Sequence, residues 1–311
     1  MATKKAAPKK KPTSAKKSVA AKPVSASKVT TKKTTSAPAP MLKPGALIAE
    51  LIGTFVLAAV VINLASNSNF GTIGIALVLA ILVVVFGAVS GAHLNPAITI
   101  AQYVNKKIDG VKASAYIGSQ VLGAVLALVI MTGIMQANWD YNGAVRAAVE
   151  NAGVSSATID QAGGLEKWAE TYGGVESVAS QLGIENKAPK TFTVNKLVEG
   201  KEWVAFLAEI LGAIVFGLGV GYAVFGRSKS RIEAGLAVGL GLLAGAVIGG
   251  ATVILNPAVA AAVGGFHWAN PFGADAGLFW WPVLVYIFGT TIGMVAGVTA
   301  YRFILRDAET E

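Results

Sequence analysis

The stretches SGAHLNPAIT (residues 90–99) and TVILNPAVAA (residues 252–261) contain the same triplet, Asn-Pro-Ala, 161 residues apart. Each copy follows a leucine and precedes a short run of small apolar residues. Asparagine caps the free N–H groups at a helix start, and proline fits the first turn because it lacks an N–H. Each triplet therefore predicts the start of a helix. The residues concerned are Asn95, Pro96 and Ala97 in the first copy and Asn256, Pro257 and Ala258 in the second.

The composition predicts a polytopic membrane protein. Of 311 residues, 54% are hydrophobic and only 14% are charged, and the mean hydropathy is +0.60. Soluble domains carry about 25% charged residues. The chain has no cysteine and two histidines, and no nucleophile–base set or metal-ligand cluster is visible in it. We therefore expect no enzyme activity, no metal and no cofactor.

The net charge of +9 belongs mainly to one end of the chain. Residues 1–40 contain eleven lysines and no acid, and the rest of this segment is mostly Ala, Pro, Ser, Thr and Val. Such a segment cannot bury a core, so we expect a disordered cytoplasmic tail. Its lysines would suit contact with anionic lipid, or alternatively with nucleic acid.

Two apolar segments are too short to cross a bilayer. Residues 95–103 and 256–264 would form helices of roughly 14 Å, against a hydrocarbon core of about 30 Å. They are predicted to be half-helices, which are tolerated at membrane depth only inside protein or beside a cavity. Six other segments reach spanning length: 44–65, 71–90, 113–136, 203–225, 234–255 and 281–300.

The two halves of the chain resemble each other beyond the triplets. LIAELIGTFVL (47–57) aligns with FLAEILGAIVF (206–216), which superposes Glu50 on Glu209, and YIGSQVLGA (116–124) aligns with YIFGTTIGM (286–294). Each half has an odd number of spans, so the second copy must enter the membrane inverted. The predicted fold is an all-α membrane protein with six transmembrane helices and two re-entrant half-helices in an inverted repeat.

The same pattern sets the predicted domain boundaries and orientation. The channel-like domain covers residues 41–304, with a first repeat at 44–136, a long external loop at 137–202 and a second repeat at 203–304. Residues 305–311 form a short C-terminal tail. Two short basic loops, NKKIDGVK and GRSKSR, place both termini in the cytoplasm by the positive-inside rule. The external loop has weak helical periodicity and is predicted to form one to three short helices.

Three polar residues near the triplets need a role. Glu50 and Glu209 lie within apolar spans, where an acid is costly unless it is hydrogen-bonded. We expect each to accept backbone N–H groups of the re-entrant loop in its half and so to support that loop. A proton relay is the alternative. His93 is predicted to form a hydrogen bond within its own loop, with pH gating as its alternative.

Inverted symmetry points the two half-helices at each other, N-terminus to N-terminus. Each end carries roughly +0.5 elementary charge. Together with the amides of Asn95 and Asn256, this arrangement would bind an oxygen lone pair and repel cations. The expected chemistry is passive conduction of water or small neutral solutes. A proton-coupled secondary transporter is the alternative, and a scaffold or adhesion protein is a third hypothesis.

The paired triplets and matched glutamates resemble those of the major intrinsic protein family, the aquaporins and aquaglyceroporins, over residues 44–304. The resemblance implies a homotetramer with one pore per subunit. The family's constriction positions, counted from the triplets, are Ile75, Ala244, Val253 and Val259 here. The family's arginine is missing, because Val259 directly follows Ala258. The resemblance therefore implies an apolar constriction suited to glycerol-like or ammonia-like solutes, although glycerol facilitators carry Arg-Asp where this chain has Val259-Ala260.

Overall fold

The computed structural model describes residues 42–64, 71–186, 201–227, 230–250, 253–268 and 283–308. The regular structure in these ranges is helical. The spanning and re-entrant helices are α1 (Pro44–Leu64), α2 (Gly71–Phe86), α3 (Pro96–Val104), α4 (Gly110–Ala137), α9 (Glu202–Phe225), α10 (Arg231–Gly249), α11 (Pro257–Trp268) and α12 (Thr290–Ala308), the last preceded by a π-helical turn (Val283–Gly289). Between α4 and α9 lie α5 (Tyr141–Asn151), α6 (Ser156–Gln161), α7 (Leu165–Glu170) and α8 (Val175–Gln181).

The described helices confirm the predicted all-α membrane fold. Five of them are long and apolar enough to cross a membrane, and α2 contributes a sixth apolar helix of 16 described residues. Two predicted ends were too late. The second span ends at Phe86 rather than at residue 90, and the fifth ends at Gly249 rather than at residue 255. Gly250 ends α10. It has a left-handed φ of 78°, and its N–H donates to the Ala246 carbonyl.

The two halves pack as an inverted repeat. In the first half α1 packs on α4, and in the second half α9 packs on α12, while α2 and α10 join the halves. Gly123 of α4 touches α1 so closely that a Cβ there would clash with the backbone carbonyl of Leu51. Likewise, a Cβ at Gly293 of α12 would clash with the backbone carbonyl of Ile210 in α9. Each of these close crossings thus depends on a glycine at the matching position of its repeat.

The half-helices are short, as the sequence predicts. α3 has 9 residues and α11 has 12, which correspond to about 14 Å and about 18 Å. Neither can cross a hydrocarbon core of about 30 Å. α3 packs against α4 and α12, while α11 packs against α4, α1 and α3.

The distribution of polarity is that of a membrane protein. Glu50, Gln120 and Glu209 are fully buried, while the outward face of α2 is apolar along a stripe with helical spacing. That stripe consists of Ile73, Leu77, Ile81 and Val85. Buried acids and exposed large aliphatic side chains are expected when a protein is surrounded by lipid or by another copy of the chain.

The segment between α4 and α9 is more structured than the sequence suggested. It contains four short helices in its described part, not one to three, with a small core of their own that includes Val145, Ile159 and Ala169. Arg146 bridges Glu150 at 3.0 Å and Asp160 at 2.7 Å and so ties α5 to α6. The periodicity of such short helices is too weak to separate them, because each spans only one to three turns.

Several sequence-based expectations fall outside the described residues. These are the lysine-rich tail at residues 1–40, part of the external loop at 187–200 and the last three residues, 309–311. Residues 305–308, assigned to a C-terminal tail from the sequence, instead continue α12.

Candidate functional site

Both triplets begin helices through the predicted cap. Asn95 is extended, with φ −159° and ψ 122°, and its Oδ1 accepts the backbone N–H of Ala97 at 2.8 Å. Asn256 Oδ1 accepts the N–H of Ala258 at 3.1 Å. Pro96 and Pro257 occupy the first helical positions, where no backbone N–H is needed. The triplets therefore fix where each half-helix starts.

The two half-helices meet at their N-termini through a reciprocal pair of hydrogen bonds. Asn95 Nδ2 donates to the Leu255 carbonyl at 2.7 Å, and Asn256 Nδ2 donates to the Leu94 carbonyl at 3.0 Å. Leu94 and Leu255 turn their carbonyls toward the opposite triplet by adopting left-handed φ values of 50° and 57°. The structure thus brings together two asparagines that are 161 residues apart in sequence.

Each asparagine retains a donor at this meeting point. An amide nitrogen carries two hydrogens, and in the described part of the chain each Nδ2 uses only one. Asn95 and Asn256 are 2% and 5% exposed, so the second hydrogens lie in the protein interior. With two positive helix ends beside them, these donors would bind a neutral oxygen acceptor.

Glu50 binds the loop before the first triplet. Its Oε1 accepts Ser90 Oγ at 2.6 Å and the His93 backbone N–H at 2.9 Å. Its Oε2 accepts the Leu94 N–H at 2.7 Å and Gln120 Nε2 at 2.7 Å. Four donors thus converge on one buried carboxylate and hold the loop against α1 and α4.

Glu209 has the equivalent position in the second half. It accepts the Leu255 N–H at 2.7 Å, the Ile254 N–H at 3.0 Å and Thr290 Oγ1 at 2.6 Å. Thr290 aligns with Gln120 when the two Tyr-Ile segments are superposed, so both glutamates receive a side-chain donor from the same repeat position.

The partner side chains of the glutamates were not assigned from the sequence. Ser90, Gln120 and Thr290 are polar residues in apolar surroundings, and the repeat alignment pairs only Gln120 with Thr290. Gln120 and Thr290 occupy the same position of the two repeats, in segments 116–124 and 286–294. A polar residue at the same position of both repeats is therefore a signal for the partner of a buried glutamate.

His93 lies between the loop and α3. Its Nδ1 is 3.1 Å from Thr99 Oγ1, and Thr99 Oγ1 in turn donates to the Asn95 carbonyl at 3.0 Å. The ring stacks edge-on against Tyr116 with a centroid distance of 5.1 Å. His93 therefore takes part in the hydrogen bonding that orients the first triplet.

Of the four counted constriction positions, Val259 is buried, and Ile75 and Val253 are partly buried. Ile75 and Val253 pack against the core shared by α2, α9, α10 and α12, while Val259 belongs to the core between α1, α4 and α11 and is 1% exposed. Val259 thus lies in a different core cluster from Ile75 and Val253, and Ala244 belongs to neither cluster. Ala244 is exposed on the outward face of α10, in line with Leu240 and Ile248.

The fixed count from the triplet fails for Ala244 for a geometric reason. α10 ends at Gly249, and Gly250 has a left-handed φ of 78°. Successive residues of a helix are rotated by 100°, so which residue of α10 faces inward depends on the register of the helix. A count of residues from the second triplet does not give that register. From α10, Leu242 and Ala246 pack into the same core cluster as Ile75 and Val253.

Comparison with known proteins identifies the family to which the chain belongs. The sequence model of the family described as Major intrinsic protein matches residues 41–301. The chain belongs to the major intrinsic protein family. Members of this family are passive channels and not enzymes, in agreement with the expectation from the sequence.

Individual relatives of this major intrinsic protein match over shorter stretches. The chain is 39% identical over 97 residues to the glycerol uptake facilitator protein-like 6 of Lactiplantibacillus plantarum, covering 29% of this chain and 44% of that protein. It is 38% identical over 112 residues to aquaglyceroporin-2 of Rhizophagus irregularis, covering 32% and 35%. The matched stretch therefore spans less than half the length of either relative. The X-ray structure of the aquaglyceroporin from Plasmodium falciparum covers 83% of this chain and 93% of its own, with a TM-score of 0.46 and 19% identity.

Proposed function

We propose that this chain is a passive channel for water and/or small neutral solutes, either glycerol-like or ammonia-like. The observation that carries the proposal is the reciprocal contact of Asn95 with the Leu255 carbonyl and of Asn256 with the Leu94 carbonyl. It puts two helix N-termini and two spare amide hydrogens at one point in the interior of the helix bundle. A cation is disfavoured there, because both helix N-termini and both amide groups present partial positive charge.

The site acts by hydrogen bonding and by the helix dipoles. A solute oxygen accepts the second hydrogens of Asn95 and Asn256 as it passes. A cation at the same point faces two positive helix ends, which repel it. Passage then needs no conformational cycle and no coupled ion.

The constriction is proposed to be apolar and formed by Ile75, Val253 and Val259, without Ala244. Aliphatic side chains offer no donor, so water loses hydrogen bonds there, whereas a solute with a C–H face retains contacts. The absence of arginine after the second triplet removes one positive charge from the passage. Exclusion of protons and cations then depends on the half-helix ends.

The glutamates support the loops in this proposal and do not carry protons. The rival function, a proton-coupled secondary transporter, needs Glu50 or Glu209 to exchange protons with water. Both are fully buried, and they accept four and three hydrogen bonds from the described residues. Releasing such a carboxylate would free the loop that it binds.

The setting of the channel is also proposed. The chain is a multi-pass membrane protein, and we place it in a plasma or inner cell membrane as a homotetramer with both termini in the cytoplasm. The lysine-rich tail would then meet the anionic leaflet, since juxtamembrane lysines are attracted to acidic lipid. Nucleic acid is the less favoured partner for this tail.

Proteoliposomes test the proposed function directly. Stopped-flow light scattering should show permeability to water, glycerol or ammonia at least about fivefold above that of empty liposomes. The flux should follow the solute gradient alone, with no dependence on an imposed pH gradient. Permeabilities equal to those of empty liposomes for all three solutes would refute a channel. Saturable uptake that requires a pH gradient and is abolished by Glu209→Gln would establish the rival transporter.

A further inference from the structure

Two cations converge on one aromatic ring at the end of α9. Lys107, in the loop after α3, places its Nζ 4.3 Å from the ring centroid of Phe225. Arg302 of α12 places its guanidinium carbon 5.4 Å from the same centroid. A ring face attracts a cation but does not neutralise it, and two like charges beside one ring repel each other. The pair is therefore a concentrated positive charge that three separate elements of the fold hold together.

No carboxylate of the described residues forms an ion pair with either cation. The ion pairs in those ranges all involve Arg146, in the segment between α4 and α9. Arg302 uses its Nη1, which donates to the backbone carbonyl and to Oδ1 of Asn105 at 3.3 Å each. A guanidinium has five N–H groups, so those on Nε and Nη2 remain for another acceptor. Lys107 and Arg302 are both exposed, so these donors are accessible from outside the protein.

Large apolar side chains are exposed close to both cations in the sequence. Phe303 and Ile304, the next two residues of α12, are each 61% exposed. Tyr103 and Val104, at the end of α3, are 50% and 51% exposed. The apolar span that contains Arg302 continues to residue 307. An arginine flanked by exposed apolar groups near the end of a span is expected where the hydrocarbon meets the lipid headgroups.

We propose that Lys107 and Arg302 form a binding site for the phosphate of an anionic phospholipid, which goes beyond the proposed channel function. Nε and Nη2 of Arg302 donate to two phosphate oxygens, because a planar guanidinium fits a phosphate in this way. The Lys107 ammonium supplies a second positive charge. The acyl chains lie along the exposed apolar side chains of α12, which a free phosphate in water cannot use. The site belongs to the folded bundle and is separate from the lysine-rich tail.

Lys107→Gln combined with Arg302→Gln tests this site in the full-length protein. Dioctanoyl phosphatidylglycerol is titrated into the protein in a neutral detergent, and the rise in the unfolding midpoint, followed by tryptophan fluorescence, gives an apparent affinity. Loss of two exposed charge contacts predicts an affinity about tenfold lower in the double variant. Arg227→Gln combined with Arg231→Gln is the matched control. It removes the same charge from exposed residues at the end of α9 and the start of α10, and it should retain the wild-type affinity.

Two further ligands identify the source of the phosphate. Dioctanoyl phosphatidylcholine should raise the midpoint less than phosphatidylglycerol does, because its choline group neutralises its own phosphate. Inorganic phosphate at the same concentration should also raise it less, because it has no acyl chains. An equal rise with inorganic phosphate that is lost in the double variant would reveal a site for free phosphate and overturn the lipid assignment. An equal rise with phosphatidylcholine would overturn the preference for an anionic lipid.

The variants decide whether these two residues form the site. Unchanged phosphatidylglycerol affinity in the double variant, or an equal loss in the control, would overturn the proposal. Should the double variant not purify, Lys107→Gln alone changes one exposed loop residue and should lower the affinity about threefold. Lys107→Arg keeps the charge and should retain the wild-type affinity, and an unchanged affinity in Lys107→Gln would again overturn the site. The measurement does not involve solute flux, so its outcome is independent of the proposed channel function.

Discussion

Glu50→Gln should lower the free energy of unfolding by roughly 2–4 kcal/mol and abolish most solute flux. The glutamate accepts four donors, two on each oxygen, and an amide places N–H groups where one oxygen stood. Two donors then face a donor in the protein interior, and each unpaired group costs about 1–3 kcal/mol. The loop before α3 would lose its anchor, so the position of Asn95 would no longer be fixed.

Thermal unfolding of the purified protein, followed by tryptophan fluorescence, measures this effect. Glu170→Gln is the matched control, because Glu170 is exposed in the segment between α4 and α9, so its replacement should not change the stability. Gln120→Met removes only one of the four donors and should have a smaller effect than Glu50→Gln. An unfolding midpoint and a flux for Glu50→Gln that equal those of the control would show that the carboxylate does not hold the loop.

Val259→Arg should narrow conduction toward water, with glycerol permeability reduced about tenfold and water permeability changed less than about threefold. Val259 is packed between α1, α4 and α11. A guanidinium cannot stay unpaired in that aliphatic cluster, since burying an isolated charge costs several kcal/mol. It must turn toward the passage, where it adds bulk and donors. The added donors restore hydrogen bonds to water, while the bulk excludes the wider solute.

Two control variants make the result specific. Val259→Leu adds one methylene without a charge, so it should reduce glycerol flux less than arginine does. Ala244→Val adds aliphatic bulk, as Val259→Leu does, but on the outward face of α10, and it should leave all fluxes unchanged. A solute panel run by stopped flow reports all three. Identical selectivity in Val259→Arg and wild type would show that the constriction lies elsewhere.

The parts of the structure that depend on local sequence could be predicted. Apolar length separates spans from half-helices, and the Asn-Pro caps place the starts of α3 and α11 at the expected residues. The repeat follows from the matching of Glu50 with Glu209, which the packing of Gly123 and Gly293 reproduces in three dimensions.

Contacts between distant segments could not be predicted in the same way. The donors Ser90 and Thr290 reach their glutamates across 40 and 81 residues of chain, and no periodicity encodes such a pair. Ala244 shows the opposite difficulty, because a count along the chain from the second triplet does not give the helical register of α10, which sets its inward face.

The most direct test is an experimental structure of the protein in lipid nanodiscs with glycerol present. We predict density for a solute or water oxygen within about 3.5 Å of both Asn95 Nδ2 and Asn256 Nδ2, on a continuous passage between the two sides of the membrane. Asparagine side chains on separate surfaces, or a passage that runs elsewhere in the protein, would contradict the account.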